Sequence, residues 1–118
     1  MQELDERLAA VAAFVPSGAR LADIGADHAH LPLALAAKGQ IAHAIAADAN
    51  EGPFEAARRS VQAAQMTDVI DVRLGDGLAA LAPGEADVVS IAGMGGSLIV
   101  HILEAGAAVL AKVETLIL

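Results

Sequence analysis

Apolar residues along the chain fall into short runs of two kinds, and the two kinds alternate. Leu21-Ala22-Asp23-Ile24, His43-Ala44-Ile45-Ala46-Ala47 and Ala86-Asp87-Val88-Val89-Ser90-Ile91 are short and nearly continuous, as strands covered on both faces are. Ile70, Val72 and Leu74 alternate with polar neighbours and mark a strand over 69–74, and Glu114-Thr115-Leu116-Ile117-Leu118 begins a fifth. The remaining runs have helical spacing. Leu4, Leu8, Val11 and Val15 form one stripe and predict a helix over 2–14. Further helices are expected over 31–38, from Pro53 to about residue 65, over 97–107 and, as a short turn, over 78–82. Pro16-Ser17-Gly18 and Pro83-Gly84 break the pattern, and Gly39 stands where a helix C-cap is expected.

A strand–loop–helix unit repeated in this way predicts an α/β fold, a mostly parallel sheet with helices on both faces. Right-handed crossovers favour the strand order 3-2-1-4-5. The first and fourth strands are then neighbours. The loops that follow them, from Gly25 and from Gly93 to Gly96, open on one edge at the topological switch point, where such sheets bind ligands. A length of 118 residues suits one domain. The chain stops on Leu116-Ile117-Leu118, inside an apolar strand whose edge needs cover, so a longer protein is expected of which this is a part.

Composition narrows the choice. Hydrophobic residues make up 56% of the chain but aromatics only 2%, so the core is built from Ala, Val, Ile and Leu and offers no platform for stacked bases. The absence of cysteine excludes disulfides and thiolate metal sites. A net charge of −8 argues against gripping a nucleic-acid backbone by bulk electrostatics. No apolar run is long enough to span a bilayer, and the acidic N-terminus is unlike a signal peptide, so a cytoplasmic setting without membrane partners is expected.

The chemistry concentrates in Asp23-Ile24-Gly25-Ala26-Asp27-His28-Ala29-His30. Gly25 admits a ligand close to the backbone. Asp48 follows by roughly 20 residues at the tip of the second strand, the place of an acid that holds ribose hydroxyls. The ligand is therefore read as a nucleoside. A pyrophosphate cofactor wants G-x-G-x-x-G, and this loop lacks the second and third glycines and sets two carboxylates where they would repel phosphate. A cation suits it better, which favours S-adenosyl-L-methionine, with its sulfonium and ammonium, over NAD. Asp76, in Gly75-Asp76-Gly77, is placed to accept from an adenine amine, with the Gly77 N–H beside it; an ordinary Asp-Gly turn is the alternative. Gly93-Met94-Gly95-Gly96 lies beside the first loop and offers glycines against which a flat acceptor base can slide; a phosphate nest at a helix N-terminus is the alternative. Asp27, His28 and His30 lack a third-ligand pattern and are not read as a metal site; one of the two histidines is expected to shape the loop. His43 and His101 carry no motif.

Asp23–Pro32 (DIGADHAHLP), Glu51–Ala57 (EGPFEAA), Val72–Leu78 (VRLGDGL) and Ile91–Ile99 (IAGMGGSLI) resemble the bacterial tRNA (adenine-N1)-methyltransferases of the TrmK type, which modify position 22 of tRNA. The resemblance runs through the whole chain in the right order. It implies a Rossmann-like class I methyltransferase domain that binds S-adenosyl-L-methionine. In that family the domain is followed by a coiled-coil region, so residues 1–118 would be its N-terminal part. The resemblance implies that Asp23 and Gly25 line the methionine end, that His28 is among the cofactor-binding residues, that Asp48 holds ribose, that Asp76 and Gly77 read adenine, and that Gly93, Met94, Gly95 and Gly96 seat the target base. Asp27 stands where the general fold signature has glycine, and is the leading catalytic candidate. A carboxylate accepting from the adenine N6 amine raises electron density at N1 and stabilises the charge that develops there, with no metal required. The competing readings are a nucleoside-binding module without catalysis and an NAD-dependent oxidoreductase domain. The tRNA grip is not visible in this chain, whose candidate cations are Arg7, Arg20, Lys38, Arg58 and Arg59.

Overall fold

The computed structural model describes residues 6–92 and 94–118. Five strands, β1 (Ala19–Ile24), β2 (Ile41–Asp48), β3 (Ile70–Leu74), β4 (Val88–Ile91) and β5 (Thr115–Ile117), form one sheet in the order β3-β2-β1-β4-β5. Every neighbouring pair is parallel. The expected order 3-2-1-4-5 is therefore the observed one, and β1 lies between β2 and β4.

The helices are α1 (Glu6–Ala13), α2 (His30–Ala37), α3 (Glu51–Ala63), α4 (Gly96–Ala105) and α5 (Ala107–Leu110), with a 3₁₀ turn at Gly77–Ala80. Side chains alternate across each strand and divide the core in two. Leu21, Ala44, Ala46 and Val88 face α1, α2 and α3. Ala22, Ile24, Ile45, Val89 and Ile91 face the 3₁₀ turn, α4 and α5. Ala22, Ala44 and Val89 are fully buried, and the small side chains of β1 and β2 let the helices lie close to the sheet.

The structure differs from the sequence reading in several places. The described part of the first helix begins at Glu6, so Leu4 lies outside the described residues, while Leu8, Val11 and Val15 do pack toward the core. Pro53 does not open α3: the helix starts at Glu51 behind Asn50, and Pro53 sits in the first turn, where its missing N–H costs nothing. Leu74 is not a core residue of β3; it is 52% exposed at the end of the strand. The long helix expected over 97–107 breaks at Gly106, where a Cβ would run into the side chain of Leu78. The chain passes too close to the 3₁₀ turn there for any side chain to fit.

Gly39 follows α2 as expected, and the Gln40 N–H donates to the Leu35 carbonyl at 3.0 Å. On the outer side of β3 the Arg73 guanidinium is held by both oxygens of Glu85 (2.7 Å each), by Asp71 (2.9 Å) and by the Ala80 carbonyl (2.9 Å). This ties the segment after Asp76 back onto the sheet.

Candidate functional site

The carboxyl ends of β1 and β2 continue past the strands. The Gly25 and Ala26 N–H groups both donate to the Ala47 carbonyl, at 2.8 and 3.1 Å. The chain then coils tightly: Gly25, Asp27 and Ala29 have φ of +75°, +55° and +60°. Glycine takes this left-handed conformation without strain, and Asp tolerates it better than most residues. A Cβ on Gly25 would also collide with Met94 Cε, so the methionine of the second glycine loop rests directly on the first.

Asp48, at the tip of β2, braces three loops. Its Oδ2 accepts the Asp27 N–H at 3.3 Å and its Oδ1 accepts the Asn50 N–H at 3.0 Å. Its backbone carbonyl accepts the Gly75 N–H at 2.9 Å. The ribose-holding candidate therefore also fixes the backbone of the catalytic candidate, a contact with no sequence signature.

Asp23 is buried inside β1, and the Ser90 hydroxyl donates to its Oδ1 at 2.9 Å from the neighbouring strand. Burial pushes the Asp23 carboxyl up to about 7, against the lowering effect of Ser90 and with a further push from the Asp48 charge. Asp27 and His28 are exposed at the rim, with His28 Nε2 3.9 Å from Asp27 Oδ1. The His28 and His30 rings stack with centroids 5.5 Å apart. Among the described residues no group of three His, Cys, Asp or Glu side chains converges as a metal site would.

Two hollows open on this edge. One, of about 370 Å³, is lined by Asp23, Gly25, Asp27, His28 and His30, with Arg7 and Leu8 from α1. The other, of about 300 Å³, is lined by Gly25, Asp48, Asn50, Asp76, Gly77 and Met94, with Leu98 and Ile102 from α4. They meet at Gly25 and Ala92, which line both. The structure thus brings Asp23, Gly25, Asp27 and His28 to one side, and Asp48, Asp76, Gly77 and Met94 to the other. Gly95 and Gly96 line neither hollow; they stand exposed at the start of α4. Gly93 lies outside the described residues. The arrangement suits an elongated ligand with hydroxyls and a flat polar ring at one end and a positive charge at the other.

A family model described as a methyltransferase domain matches residues 4–118. The chain belongs to that methyltransferase family. Over 116 residues this methyltransferase domain is 48% identical to the tRNA (adenine(22)-N(1))-methyltransferase of Bacillus subtilis, an alignment covering 98% of this chain and 49% of that protein. A Streptococcus pneumoniae protein solved in complex with S-adenosyl-L-methionine superposes with a TM-score of 0.91 at 47% identity, over 94% of this chain and 52% of that one. TrmK from M. capricolum, solved with S-adenosyl-homocysteine, superposes with a TM-score of 0.81 at 33% identity, over 87% of this chain and 47% of that one. The chain spans about half the length of these relatives. The resemblance carried by the DIGADHAHLP and IAGMGGSLI blocks is borne out.

Sequence reasoning missed Ser90 and Asn50 in this methyltransferase domain, and named Arg7, which lines the first hollow, only among the candidate cations for tRNA. Ser90 had a signal: it is the polar residue within the apolar run Val88–Ile91, and the expected neighbourhood of β1 and β4 sets it against Asp23. Arg7 had none, because its place depends on how α1 packs.

Proposed function

We propose that this domain binds S-adenosyl-L-methionine across the two hollows and that the whole protein transfers the methyl group to N1 of adenine 22 in tRNA. The observation that carries the reading is the meeting of the hollows at Gly25, with Asp48 on one side and buried Asp23 on the other. The residues fit the ligand. Three carboxylates suit hydroxyls, an amine and an ammonium, and oppose a pyrophosphate, which speaks against the NAD reading. The lack of a side chain at Gly25 leaves the backbone approachable where the ligand crosses from one hollow to the other. The relatives solved with S-adenosyl-L-methionine and S-adenosyl-homocysteine share this fold.

In this reading Asp48 holds the ribose hydroxyls, Asp76 accepts from the adenine amine beside the Gly77 N–H, and Asp23 and His28 line the methionine end. Bound there, S-adenosyl-L-methionine supplies an electrophilic methyl group on a sulfonium. Asp27, at the rim of the same hollow, accepts a hydrogen bond from the N6 amine of the target adenine. That raises the nucleophilicity of N1 and stabilises the positive ring formed as the N1–carbon bond forms and the carbon–sulfur bond breaks. The loop from Gly93 to Gly96 seats the base in line. The part of the longer protein beyond this domain supplies the tRNA grip, consistent with the net charge of −8 here. The setting is the cytoplasm, where tRNA is modified; no described helix is long and apolar enough to cross a membrane.

The test is a calorimetric titration with S-adenosylhomocysteine and with NAD. Saturable binding of the first alone, weakened by Asp48→Ala, supports the cofactor assignment; binding of NAD alone overturns it. Methylation of tRNA by the whole protein, mapped to N1 of adenine 22, then decides between an enzyme and a binding module.

A further inference from the structure

The Asp27 side chain is 68% exposed at the rim, so the position of its carboxylate is set by the backbone beneath it. That backbone is anchored on both sides. Before it, the Gly25 and Ala26 N–H groups donate to the Ala47 carbonyl. After it, Ala29 is fully buried; its N–H donates to the Ala26 carbonyl at 2.9 Å and its carbonyl accepts the Leu33 N–H at 3.0 Å. Between these anchors Asp27 has φ of +55°, a conformation that a residue with a side chain keeps only where its surroundings hold it. The contact made there is the donation of the Asp27 N–H to Asp48 Oδ2 at 3.3 Å. His28, whose Nε2 is 3.9 Å from Asp27 Oδ1, is its neighbour on the same loop.

Asp48 is fixed from behind. It ends β2, its backbone carbonyl accepts the Gly75 N–H at 2.9 Å, and its Oδ1 accepts the Asn50 N–H at 3.0 Å. The bond to Asp27 is the longest of the three, and longer than a charge-assisted bond prefers, so it has room to tighten. The two residues line different hollows, Asp27 the first and Asp48 the second. Their bond therefore links the ribose side of the site to the reacting side. Each carboxylate oxygen can accept more than one donor. A ribose hydroxyl on Asp48 removes the remaining rotation of that side chain, and with it the freedom of the Asp27 N–H to part from Oδ2. We propose that Asp48 is a positioning residue for Asp27, so that seating the ribose sets the carboxylate that meets the target adenine. The proposal rests on the S-adenosyl-L-methionine reading and deepens it. Cofactor binding and placement of Asp27 favour each other by linkage, and the target base is activated most strongly in a domain whose cofactor is already seated.

The experiment is a double-mutant cycle on tRNA methylation by the whole protein, with Asp48→Asn, Asp27→Gly and the pair of them. A residue that only holds ribose raises KM for S-adenosyl-L-methionine and leaves kcat alone. Here Asp48→Asn is expected to raise KM and also to lower kcat at saturating cofactor by about tenfold, because the carboxylate it places has shifted. In the Asp27→Gly background, where no carboxylate is left to place, Asp48→Asn should lower kcat no further. An unchanged kcat in Asp48→Asn overturns the proposal. So does the same tenfold fall in both backgrounds, because Asp48 would then act through alignment of the cofactor alone. A second measurement needs no variant: saturating S-adenosylhomocysteine should slow hydrogen exchange at the Asp27 amide of the wild-type protein by at least about fivefold. An unchanged exchange rate overturns the proposal even if Asp48→Asn fails to fold. A wild-type protein that neither binds S-adenosylhomocysteine nor methylates tRNA refutes the underlying cofactor reading instead, and shows this before any variant is made.

Discussion

Ser90 Oγ donates a 2.9 Å hydrogen bond to Asp23 Oδ1 across the parallel pair β1 and β4, and both residues are buried. A buried acid with a single side-chain donor is poised between its two protonation states. Removing the donor by Ser90→Ala is expected to destabilise the domain by about 1–3 kcal/mol. The Asp23 carboxyl should rise further, so the loss is greater at alkaline than at acidic pH. Denaturant unfolding at several pH values checks both parts.

Asp23 also sets a slope of stability with pH. Its folded value of about 7 lies above the ordinary 3.8, so between these values the folded chain holds a proton that the unfolded chain releases. Stability from this group is therefore full below about pH 4 and is lost as pH rises toward 7. Asp23→Asn should remove that slope. Where the ammonium of the cofactor meets Asp23, binding should expel the proton: titrations near pH 6 in buffers of different ionisation enthalpy should show proton release that is absent near pH 9.

Asp27 stands in a left-handed conformation with φ of +55°. Glycine is at ease there, so Asp27→Gly should keep the fold and raise its stability by up to about 1 kcal/mol. Alanine would add strain, which makes glycine the cleaner replacement. Cofactor affinity should change little, while methyl transfer by the whole protein falls by roughly 100-fold or more. Full activity in the glycine variant would remove Asp27 from the mechanism.

The alternation of runs was enough to read the strand order, because a strand–helix repeat leaves few right-handed solutions. The same reading put Asp23, Gly25 and Asp48 at one edge, where the structure has them. What could not be read depended on contacts between distant segments. The stretch from Gly96 to Leu110 has helical spacing on both sides of Gly106, and the break at that glycine, which passes too close to Leu78 for a side chain to fit, is seen only in the structure. Neither the bond from the Asp27 N–H to Asp48 nor the left-handed φ of Ala29 has a sequence signal, since alanine is not a residue that favours that conformation.

Gly25 and Met94 make a pair that can be tested as one. Gly25→Ala forces a side chain into a left-handed position, at a cost of roughly 1–2 kcal/mol, and into the Met94 methyl group. Cofactor binding should fall about tenfold or more. Met94→Ala in the same chain vacates the space and should restore part of the affinity, while the backbone strain remains. A double-mutant cycle on S-adenosylhomocysteine affinity measures the shared part.

Arg73 and Glu85 hold the segment that follows the loop at Gly75, Asp76 and Gly77. The Arg73 guanidinium and the Ala82 N–H bring the Glu85 carboxyl down to about 2 from 4.5. Its stabilisation is present above about pH 4.5 and is lost as pH falls toward 2. The pair is partly solvated, so Glu85→Gln should cost only about 0.5–1 kcal/mol at neutral pH, with a flatter acid limb in thermal melts.

The place of β1 between β2 and β4 also orders events in time. During synthesis β1 and β2 can pair as soon as both have emerged, but Ser90 follows Asp23 by 67 positions. Until β4 arrives, β1 presents an open edge and Asp23 has solvent in place of its hydroxyl partner. The carboxylate therefore passes from water into the interior late, when the last wall of the pocket closes, and the ligand-binding edge is among the slow, non-local parts of the folding reaction.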